Sequence, residues 1–128
     1  AFASAVGRFA SRFERDVAVL GLAGPIVSAV ADAGLPFVRE AFLDRGYRAD
    51  GSLVPRGEPG ALHADPADVA ERAVYLARDG IVIAVNGSVV AADAASLCVH
   101  GDSPAAVAMA RAVRKALDAE GVEVRAPW

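Results

Sequence analysis

Ser96-Leu97-Cys98-Val99-His100-Gly101-Asp102 is the stretch whose reading decides the fold. It is too short for a helix and mostly apolar, so Ser96 to His100 is expected to be a buried strand. Gly101 lets the chain turn, and Asp102, Ser103 and Pro104 are expected to open a helix. A strand that delivers a His and an Asp at its carboxyl end, just before a helix, is where parallel α/β folds place their active sites. A second polar stretch, Glu40 to Arg56, is expected to reach the same edge, so that the two face one pocket.

Upstream, Phe2, Val6, Phe9 and Phe13 recur at helical spacing opposite Arg8, Ser11, Arg12 and Arg15, which predicts a surface helix with one buried stripe. Val17 to Leu22 is apolar without alternation and reads as a strand buried on both faces. Gly21-Leu22-Ala23-Gly24-Pro25 ends it. That turn is either a tight strand-to-helix connection or an anion site on free backbone N–H groups. Ile26, Val27 and Val30 bury the next helix, which stops at Gly34. Phe37 to Phe42 is a second strand, with Arg39 and Glu40 on opposite faces because side chains alternate. The segment from Asp44 to about Asp65 is long for a compact domain (over roughly 12 residues), and such loops are usually functional. Its Arg, Tyr, Asp and Gly content favours that reading over a plain linker.

Asp65-Pro66-Ala67-Asp68 is an N-terminal helix signal. Val69, Ala73 and Leu76 bury this helix, Gly80 closes it, and His63, just ahead of the cap, is expected to be solvated. Ile81 to Val85 and Ser88 to Ala92 flank Asn86-Gly87, which predicts a two-residue hairpin turn. After Ser96–His100, a last helix from Pro104 to Gly121 turns Val107, Ala110, Val113 and Leu117 inward, and Val122 to Val124 is expected to be a final strand. Strands alternating with helices imply α/β architecture with a mostly parallel sheet.

The chain has 128 residues and a net charge of −3. Both charge signs are interspersed, so nothing points to nucleic acid or an anionic membrane. No apolar run reaches the length of a membrane span. The single cysteine, Cys98, excludes an internal disulfide and fits a reducing cytoplasm. The start, Ala1-Phe2-Ala3-Ser4, has no initiator Met and no signal pattern, which suggests a piece of a longer chain.

His100 is the leading candidate for acid–base work, because it ends a strand beside glycine and has no structural reason to be there. Asp102 could orient the imidazole, bind a metal or cap the helix. Cys98 and His100 share a strand face, so a Cys–His pair is conceivable, although Cys98 reads better as a small core residue. Glu40 and Asp44 are candidate carboxylates for acid–base chemistry or metal binding, or else ion-pair partners of Arg39 and Arg45. Arg45 and Arg56 could clamp a carboxylate or phosphate, or be solvated.

Glu40-Ala-Phe-Leu-Asp44-Arg45-Gly-Tyr47-Arg-Ala-Asp50-Gly51-Ser-Leu-Val-Pro-Arg56, then Gly60-Ala61, then Cys98-Val-His100-Gly101-Asp102, closely resembles the lactam-utilization LamB/YcsF family, whose members form the A subunit of bacterial 5-oxoprolinase. The turn from Gly21 to Gly24 looks like that family's too. Family members are about twice this long, and the resemblance is to their C-terminal half. The N-terminal half, with its Asp- and His-bearing strand ends and a Lys-Pro-His-Gly motif, has no counterpart here.

The resemblance implies that residues 1–128 form one α/β unit, the C-terminal part of an incomplete (β/α) barrel of about seven strands, similar to polysaccharide-deacetylase barrels. It implies ATP-dependent opening of 5-oxoproline to L-glutamate in the cytoplasm, with two partner subunits. A divalent metal ion is left open. His100, Asp102, Glu40 and Asp44 become the catalytic candidates. Arg45, Tyr47, Arg56, Gly21 and Gly24 become the candidates for substrate or phosphate binding. A half barrel exposes sheet edges, so this piece alone is expected to be inactive and to pack against the missing half or form a homo-oligomer. Two other readings compete: a metal-dependent amidohydrolase or deacetylase without ATP, and a non-catalytic assembly module.

Overall fold

The computed structural model describes residues 2–13 and 17–126. Its elements run α1 (Phe2–Phe13), β1 (Val19–Gly21), α2 (Ile26–Asp32), β2 (Phe37–Phe42), α3 (Pro66–Asp79), β3 (Ile81–Ile83), β4 (Val89–Ala91), β5 (Ser96–Cys98) and α4 (Ala106–Ala119). β2 is the spine. Its first half pairs in parallel with β1, Val19 beside Phe37 and Gly21 beside Arg39. Its second half pairs in parallel with β5, Glu40 beside Ser96 and Phe42 beside Cys98. The sheet order is therefore β1-β2-β5, and β3 and β4 make a separate antiparallel pair.

One face of this sheet carries the core. Ala41 and Leu43 pack with Val69, Ala73 and Leu76 of α3 and with Met109, Val113 and Leu117 of α4, and Leu97 and Val99 lie against the same cluster. Burying these side chains, at roughly 1.5–3 kcal/mol for each large one, is the main force seating α3 and α4 on the sheet. A smaller cluster joins Val19 and Val30 with Val6, Ile26 and Phe37. α3 starts as its sequence dictates: the Asp65 side chain accepts from the Ala67 N–H at 2.9 Å, Pro66 takes the first turn, and Gly80 ends the helix.

Several expectations need correction. The stripe on α1 is not uniformly buried, since Phe2 and Phe9 are exposed and Ala10 takes the buried position; the side chain of Phe13, and Arg15, lie outside the described residues. Asp102, Ser103 and Pro104 do not open α4. The Ala106 N–H closes a turn onto the Ser103 carbonyl, so the helix begins at Ala106 with Ala105 as an uncapped lead-in. Its buried stripe is Met109, Val113 and Leu117, four residues apart, so Val107 and Ala110 fall off that stripe and are exposed. The hairpin loop holds three residues rather than two. Ala84 donates to Ser88 and accepts from Gly87, and Gly87 adopts φ 84°, the left-handed position that closes a three-residue loop. Val122 to Val124 is not a strand: after the turn at Gly121 the Val122 N–H is spent on the Leu117 carbonyl, and the segment lines a cavity of about 540 Å³ together with β5, α3 and α4.

Between β2 and α3 the chain folds back on itself. Short antiparallel bridges join Arg45 to Leu62 and Tyr47 to Leu53. The crossing is so close that a Cβ on Gly46 would collide with the Gly60 carbonyl oxygen, so only glycine fits. The long segment is thus an ordered lobe on the carboxyl end of β2.

Candidate active site

Side chains alternate along an extended chain, so if Ala41, Leu43, Leu97 and Val99 face the helices, Glu40 and Phe42 of β2 with Asp44 just beyond it, and Ser96 and Cys98 of β5 with His100 just beyond it, share the other face. The register sets the pairs. Glu40 lies beside Ser96, whose hydroxyl donates to Glu40 Oε1 at 3.3 Å. Phe42 lies beside Cys98, and the Leu43 N–H reaches the Cys98 carbonyl at 2.9 Å, carrying the pairing past both strand ends. Asp44 and His100 therefore arrive side by side.

His100 Nδ1 is 2.8 and 2.9 Å from the two Asp44 oxygens, and the His100 backbone N–H donates to Asp44 Oδ2 at 3.2 Å. The Asp44 side chain is 7% exposed and that of His100 26%. The imidazole lies on the Phe42 ring, centroids 5.5 Å apart and planes within 17°. A carboxylate only accepts hydrogen bonds, so Nδ1 carries a proton, and in the neutral ring the lone pair is then on Nε2. Among the described residues nothing bonds Nε2. The pair is an imidazole whose neutral form is held in one tautomer, with a buried carboxylate to stabilise the imidazolium form.

The other candidates fall elsewhere. Asp102 is exposed and meets Arg56 at 3.8 Å, a rim ion pair of the kind worth little in water. Arg45 is buried inside the lobe and donates to the Val54 and Ala61 carbonyls at 2.7 and 3.2 Å. Tyr47 is buried and its oxygen accepts the Phe42 N–H at 2.8 Å, a group that points past the end of β1 and has no strand partner. Burial pushes the Tyr47 hydroxyl above its usual range, only partly opposed by that amide and by Arg72 and Arg45. Burial, then the charges of Glu40 and Asp44, pushes the Cys98 thiol up, which disfavours a nucleophilic thiolate. Glu40 borders a second cavity of about 420 Å³ that also includes Gly24, Tyr47, Asp50 and Val90 but neither Asp44 nor His100.

Two features escaped the sequence reading. Arg72 is buried, with Nε on the Leu43 carbonyl and Nη2 on the Arg45 carbonyl, both at 2.8 Å. Its spacing from Val69 and Leu76 on the buried stripe was the available signal. His63 is not merely solvated: its Nδ1 lies 2.5 Å from Asp68, and its backbone N–H donates to the Asp44 carbonyl at 2.9 Å.

Known proteins share this arrangement of elements. The sequence profile of the LamB/YcsF family matches residues 1–128. The chain belongs to the LamB/YcsF family. It is 56% identical over 110 residues to the A subunit of 5-oxoprolinase from Streptomyces griseus, covering 85% of this chain and 44% of that one. It is 50% identical over 125 residues to the A subunit of 5-oxoprolinase from Mycobacterium avium, covering 97% and 50%. The crystal structure of a lactam utilization protein from Thermus thermophilus superposes with a TM-score of 0.88 at 40% identity, over 97% of this chain and 49% of the other. This LamB/YcsF chain thus shares that protein's mixed α/β fold and spans about half the length of the relatives it matches.

The nucleotide that the family resemblance implies can be tested against the residues present. α2 has seven residues and is led by Pro25, which offers no N–H, and the Val27 N–H is already spent on the Gly24 carbonyl. Gly21 and Gly24 thus flank a turn in which neither Pro25 nor Val27 has an N–H to offer an anion. Arg45 is engaged inside the lobe, and Arg56 stands at the rim. Of these four candidates for phosphate binding, only Arg56 keeps its charged group exposed. Among the described residues no three His, Cys, Asp or Glu side chains converge as metal ligands. No helix of the described residues is long and apolar enough to cross a membrane.

Proposed function

We propose that this chain supplies the acid–base centre of a 5-oxoprolinase that opens the cyclic amide 5-oxoproline to L-glutamate. The observation that carries this reading is the Asp44–His100 pair, with Nδ1 tied down and Nε2 open. A five-membered lactam is resonance-stabilised, so water attacks it slowly without a base. His100 Nε2 takes a proton from water as its oxygen bonds to the lactam carbonyl carbon. When the C–N bond breaks, the same imidazolium returns the proton to the departing nitrogen, leaving an amine and a carboxylic acid whose proton then passes to the amine through solvent. Asp44 holds the ring for both transfers.

Whole relatives carry the name of a lettered subunit, which supports a complex of different subunits; its place in the cytoplasm and its use of ATP are part of the same proposal and come from the family resemblance. The three parallel strands carry their helix-packed core on one face, and relatives are about twice as long. Both facts support a (β/α) barrel of about seven strands in which the other half covers the Asp44–His100 face.

The test uses the full chain with its partner subunits. Glutamate forms from 5-oxoproline only with ATP, and His100→Ala lowers the rate by about 10²–10⁴-fold. No glutamate from the wild-type complex, or an unchanged rate in His100→Ala, contradicts the reading.

A second reading rests on the same geometry. An imidazole whose Nδ1 meets a carboxylate is also how proteins orient a metal-ligating histidine. In that case His100 Nε2 holds a divalent ion together with ligands from outside the described residues, and the enzyme is an amidohydrolase without ATP. Stoichiometric metal in the full chain, lost in His100→Ala, together with ATP-independent turnover, selects it.

A further inference from the structure

Three consecutive carbonyls flank the Asp44 side chain, and each is captured by a donor from α3 or from the segment that leads into it. Arg72 Nε takes Leu43 at 2.8 Å, the His63 backbone N–H takes Asp44 at 2.9 Å, and Arg72 Nη2 takes Arg45 at 2.8 Å. Pairing with β5 ends with the Leu43 N–H on Cys98, and beyond it the chain has only the short Arg45–Leu62 bridge, in which the His63 N–H reaches the Asp44 carbonyl and the Gly46 N–H the Ala61 carbonyl. One buried guanidinium reaching both neighbours of Asp44 adds a side-chain bond on either side of that single bridge. We propose that Arg72 is the positioning residue of the Asp44–His100 pair: it holds the end of β2 so that the carboxylate meets Nδ1 and Nε2 keeps its aim.

The side chain chosen for the task supports this. Arg72 stands in the core-facing stripe of α3 between Val69 and Leu76, where an aliphatic residue would pack without desolvating a charge. Burial works against its charged form, and the carboxylates of Asp68 and Asp44, with Tyr47 between them in strength, work for it. A planar fork with donors at fixed angles can bridge two carbonyls at once, and a lysine ammonium can serve only one of them well. Arg72 does not touch the reacting atoms and acts only through Asp44.

The inference rests on the function proposed above, so its test carries one readout that does not require turnover. The full chain is prepared as wild type, Arg72→Met, Arg72→Lys, Asp44→Asn, His100→Gln and the Arg72→Met/Asp44→Asn double variant, with folding checked by circular dichroism. The downfield proton resonance of Nδ1–H, assigned by its loss in His100→Gln, is expected in the wild type and lost or exchange-broadened in Arg72→Met. In the assembled enzyme Arg72→Met lowers kcat about 100-fold, the scale of a small misplacement, with KM within about 3-fold. The double variant is no slower than Asp44→Asn. If Arg72→Met does not fold, Arg72→Lys carries the same comparison. A folded Arg72 variant that keeps the resonance and kcat, or a loss that multiplies with that of Asp44→Asn, overturns the proposal. If Asp44→Asn and His100→Gln leave turnover unchanged, the catalytic reading fails, and the resonance still decides what Arg72 does.

Discussion

One carboxylate, Asp44, binds both the backbone N–H and the ring Nδ1 of His100, a residue 56 positions away. The double attachment fixes the tautomer and also fixes where the strand end lies. Its parts come from neighbouring parallel strands that end side by side, so the fold itself brings them together.

Tyr47 ties the lobe to the sheet through the Phe42 N–H. Tyr47→Phe leaves that buried donor without its acceptor, a loss of about 1–3 kcal/mol. Urea unfolding of the full chain is expected to show that loss while catalysis changes little. A larger effect on kcat than on stability would mean that the hydroxyl has a direct role in the reaction.

Gly46 and Gly60 cross with no room for a side chain. Gly46→Ala must push the lobe off the strand end. The expected cost is about 3 kcal/mol or more, at the upper end for overpacking. A melting temperature equal to wild type would show that the crossing is looser than described.

The Cys98 thiol is shifted up by burial and by two nearby carboxylates. Because a raised thiol pKa means less thiolate, iodoacetamide should react with Cys98 more slowly than with glutathione at about pH 7–8, and faster only as pH rises above the usual thiol range. Cys98→Ala should retain activity. Rapid alkylation at neutral pH together with inactivation would revive a Cys–His nucleophile.

Much of this architecture was legible in the residues themselves. Asp65-Pro66 and Gly80 mark the ends of α3 because capping is local chemistry, and the strands were found because apolar runs between turns have few alternatives. The partnership of Asp44 with His100 was not legible, since it depends on the register of β2 against β5, set by packing far along the chain. Arg45 and Arg56 look alike in sequence, yet one is spent on Val54 and Ala61 and the other stands at the rim. Arg72 was hidden by its charge: its spacing from Val69 and Leu76 puts it on the buried stripe, but a guanidinium there is normally read as solvated. Val122 to Val124 had a strand's composition but lost a ladder donor to the turn that ends α4.

The central claim is that Asp44 and His100 act as one unit in opening the lactam. The most direct test is kcat for glutamate formation by the full complex carrying Asp44→Ala, His100→Ala or both. Groups that act together lose their effect together, so the double variant should be no slower than the slower single one. Losses that multiply, or single variants that turn over at the wild-type rate, would contradict it.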